Sequence, residues 1–194
     1  VVFAKKCGPT LGGGVIQQPS QQALHQAIRA LNPALQKRLS ADLSEWPALL
    51  DYEVEMGLIL LQDWSPGQPM PRVGYVLVND VTARSIQIAG LGAADALSYW
   101  SAAKGFDGFL PMSSQMACPV EAEADRWPDV VLRTRVNGQV RQQSALQNLL
   151  YSPLEVLTHA AQQSGAPVLR KHDVVLNGTP AGIALQVPKW KRVL

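Results

Sequence analysis

Between Asp51 and Leu61 the chain reads Asp51-Tyr-Glu-Val-Glu-Met-Gly-Leu-Ile-Leu-Leu61, an apolar strand-like run carrying two glutamates with one residue between them. Side chains of a strand alternate between faces, so Glu53 and Glu55 share a face, roughly 6 to 7 Å apart along the backbone. Leu58 to Leu61 is apolar on both faces, the pattern of a strand in a covered sheet. A carboxylate taken out of water needs a positive partner. For two carboxylates on one face, a divalent cation is the natural one. The other reading of this segment is a half-exposed strand, with Tyr52, Val54 and Met56 packed inward and the glutamates in water.

A third carboxylate extends the pattern. Val73-Gly-Tyr-Val-Leu-Val-Asn-Asp80 reads as a buried strand, and Val81 to Gln87 has helical character. Asp80 therefore stands at a strand end, where sites gather, although it and Thr82 also suit helix caps. Three oxygen ligands with no soft ligand nearby describe an open site for magnesium or manganese, whereas zinc would call for His or Cys. Two further segments carry chemistry. In Ala103-Lys-Gly-Phe-Asp-Gly-Phe-Leu-Pro111 a lone lysine, Lys104, stands among small and aromatic residues, placed either to face the carboxylates or to be solvated. In Lys171-His-Asp-Val-Val-Leu-Asn-Gly-Thr-Pro-Ala-Gly182 a short strand enters a turn whose Thr179 hydroxyl and amides can hold an anion, or which is simply a turn.

Taken in order, Asp51-Tyr-Glu-Val-Glu, Gly74 to Gln87, Lys104-Gly-Phe-Asp107, Val136-Asn-Gly-Gln-Val-Arg-Gln142 and Asn177-Gly-Thr-Pro-Ala-Gly182 resemble the fumarylacetoacetate hydrolase family, over about residues 51 to 183. The resemblance implies that Glu53, Glu55 and Asp80 bind Mg2+ or Mn2+. It implies that Lys104 stabilises an enolate, and that Thr179 with Arg84 and Gln87 grips a substrate carboxylate. It further implies a homodimer and a mixed β-roll or sandwich of the family's C-terminal domain type, an α+β fold that is mainly β with a few helices. Ser85 and Gly105 depart from the family pattern, which carries an aspartate and a serine there, and Lys104 lies somewhat further from Asp80 than the family spacing. The family's early His and Glu acid-base pair falls upstream of Val1. His25 does not replace it, because Ile28 stands where the glutamate would be and Ala23 to Leu31 reads as an amphipathic helix.

The chain of 194 residues is long enough for one core and is expected to be a single catalytic domain over residues 1–194, without its N-terminal lid segment and C-terminal strands. Charged residues make up 16% and hydrophobic ones 47%, a sparse polar coat that favours assembly. The net charge is +2, with no basic cluster or aromatic platform of the kind nucleic acid requires. No apolar run is long enough to cross a bilayer, and Cys7 and Cys118 lack the spacing of a metal knuckle or redox pair. The expected setting is cytoplasmic, with a mitochondrial address also compatible, and the expected partner is a small 2-oxo acid. The elements anticipated are a strand or two at the start, a helix near Gln21 to Leu39, the strands of Glu53 and Asp80, a short helix before Lys104, a hairpin turning at Asn137-Gly138, a helix from Ser152 to Gln163 capped by Ser152, and the strand Asp173 to Leu176.

The chemistry this predicts is carbon-carbon cleavage of a 2-oxo or 1,3-dioxo acid by acylpyruvate-type hydrolysis. Oxaloacetate decarboxylation or 2-oxo-acid isomerisation on the same site is the alternative. A catalytically silent metal-binding relative with a regulatory role is the alternative of another class.

Overall fold

The computed structural model describes residues 2, 4, 5, 7–42, 45–119 and 125–185. Trp190 to Leu194, where the family's strands would continue, lies outside the described residues. In chain order the elements are β1 (Thr10–Leu11), α1 (Gln21–Leu31), α2 (Pro33–Asp42), β2 (Leu50–Asp51), β3 (Val54–Leu60), β4 (Val73–Asn79), β5 (Thr82–Ala83), α3 (Arg84–Ala89), α4 (Ala96–Ala103), β6 (Pro111–Met112), β7 (Val131–Val136), β8 (Gln139–Ala145), α5 (Pro153–Ser164) and β9 (Val174–Leu176). Strands outnumber α-helices, and the mixed α and β architecture matches the expected class. The described residues form two compact units that interleave in sequence. One gathers Glu53–Asn79 and the chain from Met112 onward; the other takes most of the chain up to Tyr52 together with Asp80–Pro111.

The first unit is built on β3. It pairs antiparallel with β4, Val54 opposite Asn79 through Leu60 opposite Val73, and on its other edge with β9 from Gly57 to Ile59. Alternation then sorts the side chains. Val54, Met56, Leu58 and Leu60 enter a core with Trp64, Leu132 and Leu157, while Glu55, Gly57 and Ile59 take the opposite face. That face is also withdrawn from solvent, with Glu55 and Gly57 buried and Ile59 half-buried, and its neighbours in the sheet are close: a Cβ on Gly57 would meet Val76 at 3.0 Å and Val174 and Val78 at 3.4 Å. The hairpin β7–β8 turns at Asn137 and Gly138, both with positive φ (51° and 77°), the geometry for which Asn-Gly is selected. Helix α5 starts at a capping box in which Ser152 and Glu155 satisfy each other's amides, as the Ser-Pro start predicts.

The second unit packs Leu24 and Ile28 of α1 with Trp46, Val81, Ile86, Tyr99 and Phe109. The single helix expected over 21–39 is two helices. Pro33 has no N–H to continue the first, Asn32 turns extended (φ −153°), and its Oδ1 accepts the Leu35 N–H at 2.9 Å to start the second. Helix α3 begins only at Arg84, with no side-chain cap, because Thr82 and Ala83 pair with Asp51 and Leu50 instead. Thr82 donates its hydroxyl to the Asp80 carbonyl, so neither residue caps the helix. Between Asp80 and Lys104, which are further apart than the family spacing, the chain forms a further helix, α4 (Ala96–Ala103), with Lys104 at its C-terminal end.

Candidate functional site

In the first unit both glutamates are buried, Glu53 at 6% and Glu55 at 3% exposure, which disposes of the reading that leaves them in water. The backbone around them is held in an unusual way. Strand β9 ends at Leu176, so the edge of β3 from Val54 to Met56 has no strand partner on that side, and unpaired backbone groups there need other partners. Side chains supply them. The Val54 N–H donates to Gln142 Oε1 (3.1 Å), the Val54 carbonyl accepts from Thr179 Oγ1 (3.0 Å), and the Met56 N–H donates to Asn177 Oδ1 (3.2 Å). On the other edge the Glu53 N–H donates to Asn79 Oδ1 (2.9 Å).

The Asn177-Gly-Thr-Pro-Ala-Gly182 turn therefore runs beside the glutamate strand, and the Gly178 N–H donates to Glu55 Oε2 at 2.9 Å. Gly178 has φ +89° and Gly182 φ +106°, and a Cβ on Gly182 would collide with the Arg141 carbonyl. Both glycines are thus required by conformation or by close approach. The Asn177 amide nitrogen is buried with no acceptor among the described residues, a state that costs about 1–3 kcal/mol until an oxygen meets it. Thr179, expected to face an anion, has its hydroxyl hydrogen on Val54 and accepts from Gln142 Nε2 at 2.8 Å.

In the second unit Asp80 is buried between two ammonium groups. Lys5 Nζ donates to its Oδ1 at 2.6 Å and Lys104 Nζ to its Oδ2. Lys104 is itself buried, and its carbonyl accepts from Cys7 Sγ at 3.3 Å. Burial pushes the Cys7 thiol above its ordinary range, with the Lys5 charge working against that shift. Arg84 and Gln87 also meet: Arg84 Nη1 donates to Gln87 Oε1 at 2.6 Å, and Arg84 Nε to Asp51 Oδ2 at 2.8 Å. Ser85, a departure from the family pattern, donates its hydroxyl to the Ala48 carbonyl at 3.1 Å. His25 is a helix-packing residue whose Nδ1 meets Ser40 Oγ at 2.8 Å, and His159 and His172 are exposed.

Three residues carry weight that the sequence reading did not assign them. Lys5 looks like part of an opening strand, Asp51 like a strand start, and Gln142 like one polar residue in an exposed hairpin. Gln142 had a signal, since it is the last residue of a motif in the resemblance, at a position of β8 that turns inward.

Residues 36–193 match the family described as fumarylacetoacetate (FAA) hydrolase, C-terminal. The chain belongs to this family. Oxaloacetate tautomerase FAHD1, mitochondrial, of Arabidopsis thaliana is 30% identical to it over 138 residues, 69% of this chain and 58% of that protein. The solved 5-carboxymethyl-2-hydroxymuconate delta-isomerase of Mycobacterium smegmatis superposes with a TM-score of 0.55 at 29% identity, covering 71% of this chain and 50% of that one. The fumarylpyruvate hydrolase of Pseudomonas aeruginosa, solved in complex with Mn2+ and pyruvate, shares the fold at a TM-score of 0.56 and 22% identity, covering 73% of this chain and 60% of that one. The chain spans about half to three fifths of the length of the curated relatives it matches. Among the described residues, no helix of this family member is long and apolar enough to cross a membrane.

Proposed function

We propose that Glu53, Glu55 and Asp80 together hold one divalent cation, Mg2+ or Mn2+, in an enzyme that cleaves a carbon-carbon bond of a small 2-oxo or 1,3-dioxo acid. The observation that carries this reading is the burial of all three carboxylates, Glu53, Glu55 and Asp80. One carboxylate oxygen from each of the three lies within 4.8 Å of the others. The donors are all carboxylates, a set suited to a hard cation that keeps sites for water and substrate oxygens. The buried Asn177 amide is a donor that a substrate oxygen or bound water would satisfy.

Bound there, the cation supplies Lewis acidity toward a keto oxygen. Lys104, delivered by α4, offsets negative charge that builds on the substrate as an enolate forms. Arg84 and Gln87 are the residues for the substrate's carboxylate, with Thr179 on the turn beside the glutamates. In hydrolysis of an acylpyruvate the bond between acyl carbon and methylene breaks, hydroxide from water joins the acyl carbon, and a proton returns to the carbon that becomes the methyl of pyruvate. The activities for which the tautomerase and the isomerase are named favour one second reading, proton transfer on a 2-oxo acid at the same site without cleavage. Assembly as a homodimer belongs to the same proposal and accords with exposed Leu77 (48%) and Leu91 (74%).

Assaying the purified protein with Mg2+ or Mn2+ against acetylpyruvate, fumarylpyruvate and oxaloacetate, beside a Glu53→Gln variant, tests this. Turnover that needs the metal and is lost with Glu53 is the expected result. Turnover unchanged in Glu53→Gln would overturn it, and enol-keto exchange without cleavage would select the second reading.

A further inference from the structure

We infer that Gln142 is a positioning residue that sets the geometry of the glutamate pair for its cation, an inference that rests on the proposed metal site. Gln142 is 1% exposed and makes four hydrogen bonds. Its Oε1 accepts from the Val54 N–H (3.1 Å) and from Thr134 Oγ1 (3.0 Å). Its Nε2 donates to Thr179 Oγ1 and to the Pro180 carbonyl, both at 2.8 Å. Only a side-chain amide can do this, because it offers an acceptor and a two-hydrogen donor on one planar group.

The bonds converge on the residue between the two glutamates. Val54 has its N–H held by Gln142 and its carbonyl held by Thr179, which Gln142 holds in turn. The same turn places the Gly178 N–H on Glu55 Oε2 at 2.9 Å. Gln142 thus acts on the glutamate pair in two ways: through the Val54 backbone between the two carboxylates, and through the turn that orients one of them. Groups that support ligands in this way affect metal affinity strongly, typically by about 10–100-fold when removed. Gln142 touches no reacting atom and acts through Val54, Thr179 and Gly178.

The test is a Mn2+ titration by calorimetry, with thermal unfolding of the metal-free protein alongside, for wild type, Gln142→Glu, Thr179→Ser and Thr134→Val. Gln142→Glu keeps the acceptor and the shape but loses both bonds into the turn, so Mn2+ affinity is expected to fall about 10–100-fold. Thr179→Ser keeps the hydroxyl and is expected to bind as wild type does. Thr134→Val removes one bond to Gln142 at the far end of the network, so it lowers the unfolding temperature without changing affinity. Wild-type affinity in Gln142→Glu, or an equal loss in Thr134→Val, would overturn the positioning role and leave a merely structural one. No Mn2+ binding by the wild type would instead overturn the metal site itself. If Gln142→Glu does not fold, Thr179→Val, which cannot donate to Val54 or accept from Gln142, carries the same expectation.

Discussion

Glu55 and Asp80 are both almost wholly buried, yet the chain solves the cost of each in a different way. Glu55 sits on a strand and takes a backbone N–H from Gly178, a neutral donor supplied by a turn whose place is set by side-chain bonds. Asp80 sits where β4 ends and has an ammonium group on each carboxylate oxygen, from Lys5 and Lys104. An amide orients a carboxylate while leaving its charge in place, whereas two lysines compensate the charge outright. The Gly178 amide fixes where one Glu55 oxygen points, the geometry that the proposed cation site uses. The aspartate environment couples Asp80, a proposed ligand, to the lysine proposed to act on the substrate.

Asp80→Asn breaks that contrast with the largest effect. The buried Lys104 and the half-buried Lys5 ammonium groups lose this counterion, and the protein is expected to lose about 3–5 kcal/mol of stability in denaturant unfolding. Glu55→Gln is expected to behave in the opposite sense. Gln keeps an oxygen for the Gly178 N–H, so stability should fall by less than it does in Asp80→Asn, while Mn2+ affinity measured by calorimetry falls by at least about tenfold. If Asp80→Asn proves as mild in unfolding as Glu55→Gln, the distinction between a compensated and an oriented carboxylate is wrong.

Tyr75 sharpens the comparison with a buried titratable group whose hydroxyl meets a backbone carbonyl. Burial, aided by the Asp125 charge, pushes its phenol up to about 12 from an ordinary 10.0, and its hydroxyl donates to the Arg126 carbonyl at 3.0 Å. A raised pKa means that the folded state holds the proton where the unfolded chain has released it. The contribution is complete below about pH 10 and declines as pH rises toward 12, at a slope of at most about 1.4 kcal/mol per pH unit. Tyr75→Phe should remove that part of the alkaline slope when urea midpoints are compared across the range. The smallest effect is expected from Gly57→Ala. Its Cβ would press on Val76 at 3.0 Å, costing about 1 kcal/mol in thermal unfolding if its neighbours in the sheet are as close as described.

Local rules carried much of the fold into the sequence. The Asn137-Gly138 hairpin, the Ser152 cap and the strand alternation that puts Glu53 and Glu55 on one face each depend on residues within a few positions. The missed break at Asn32-Pro33 was equally local, a proline signal outweighed by the amphipathic pattern around it. Burial of the glutamates was readable only as an alternative, because alternation assigns faces but does not say what covers them.

What the amino-acid order determined by itself was the set of acidic groups and their register, since pleating and hydrophobic period are properties of neighbouring residues. What tertiary structure alone decided was how each acidic group is satisfied. Lys5 reaches Asp80 across 75 positions and Thr179 reaches Val54 across 125. Hydrogen bonds and ion pairs act over a few ångströms of space, whatever the separation along the chain, so partners such as Lys5 and Gln142 are identified only after folding has brought distant segments side by side.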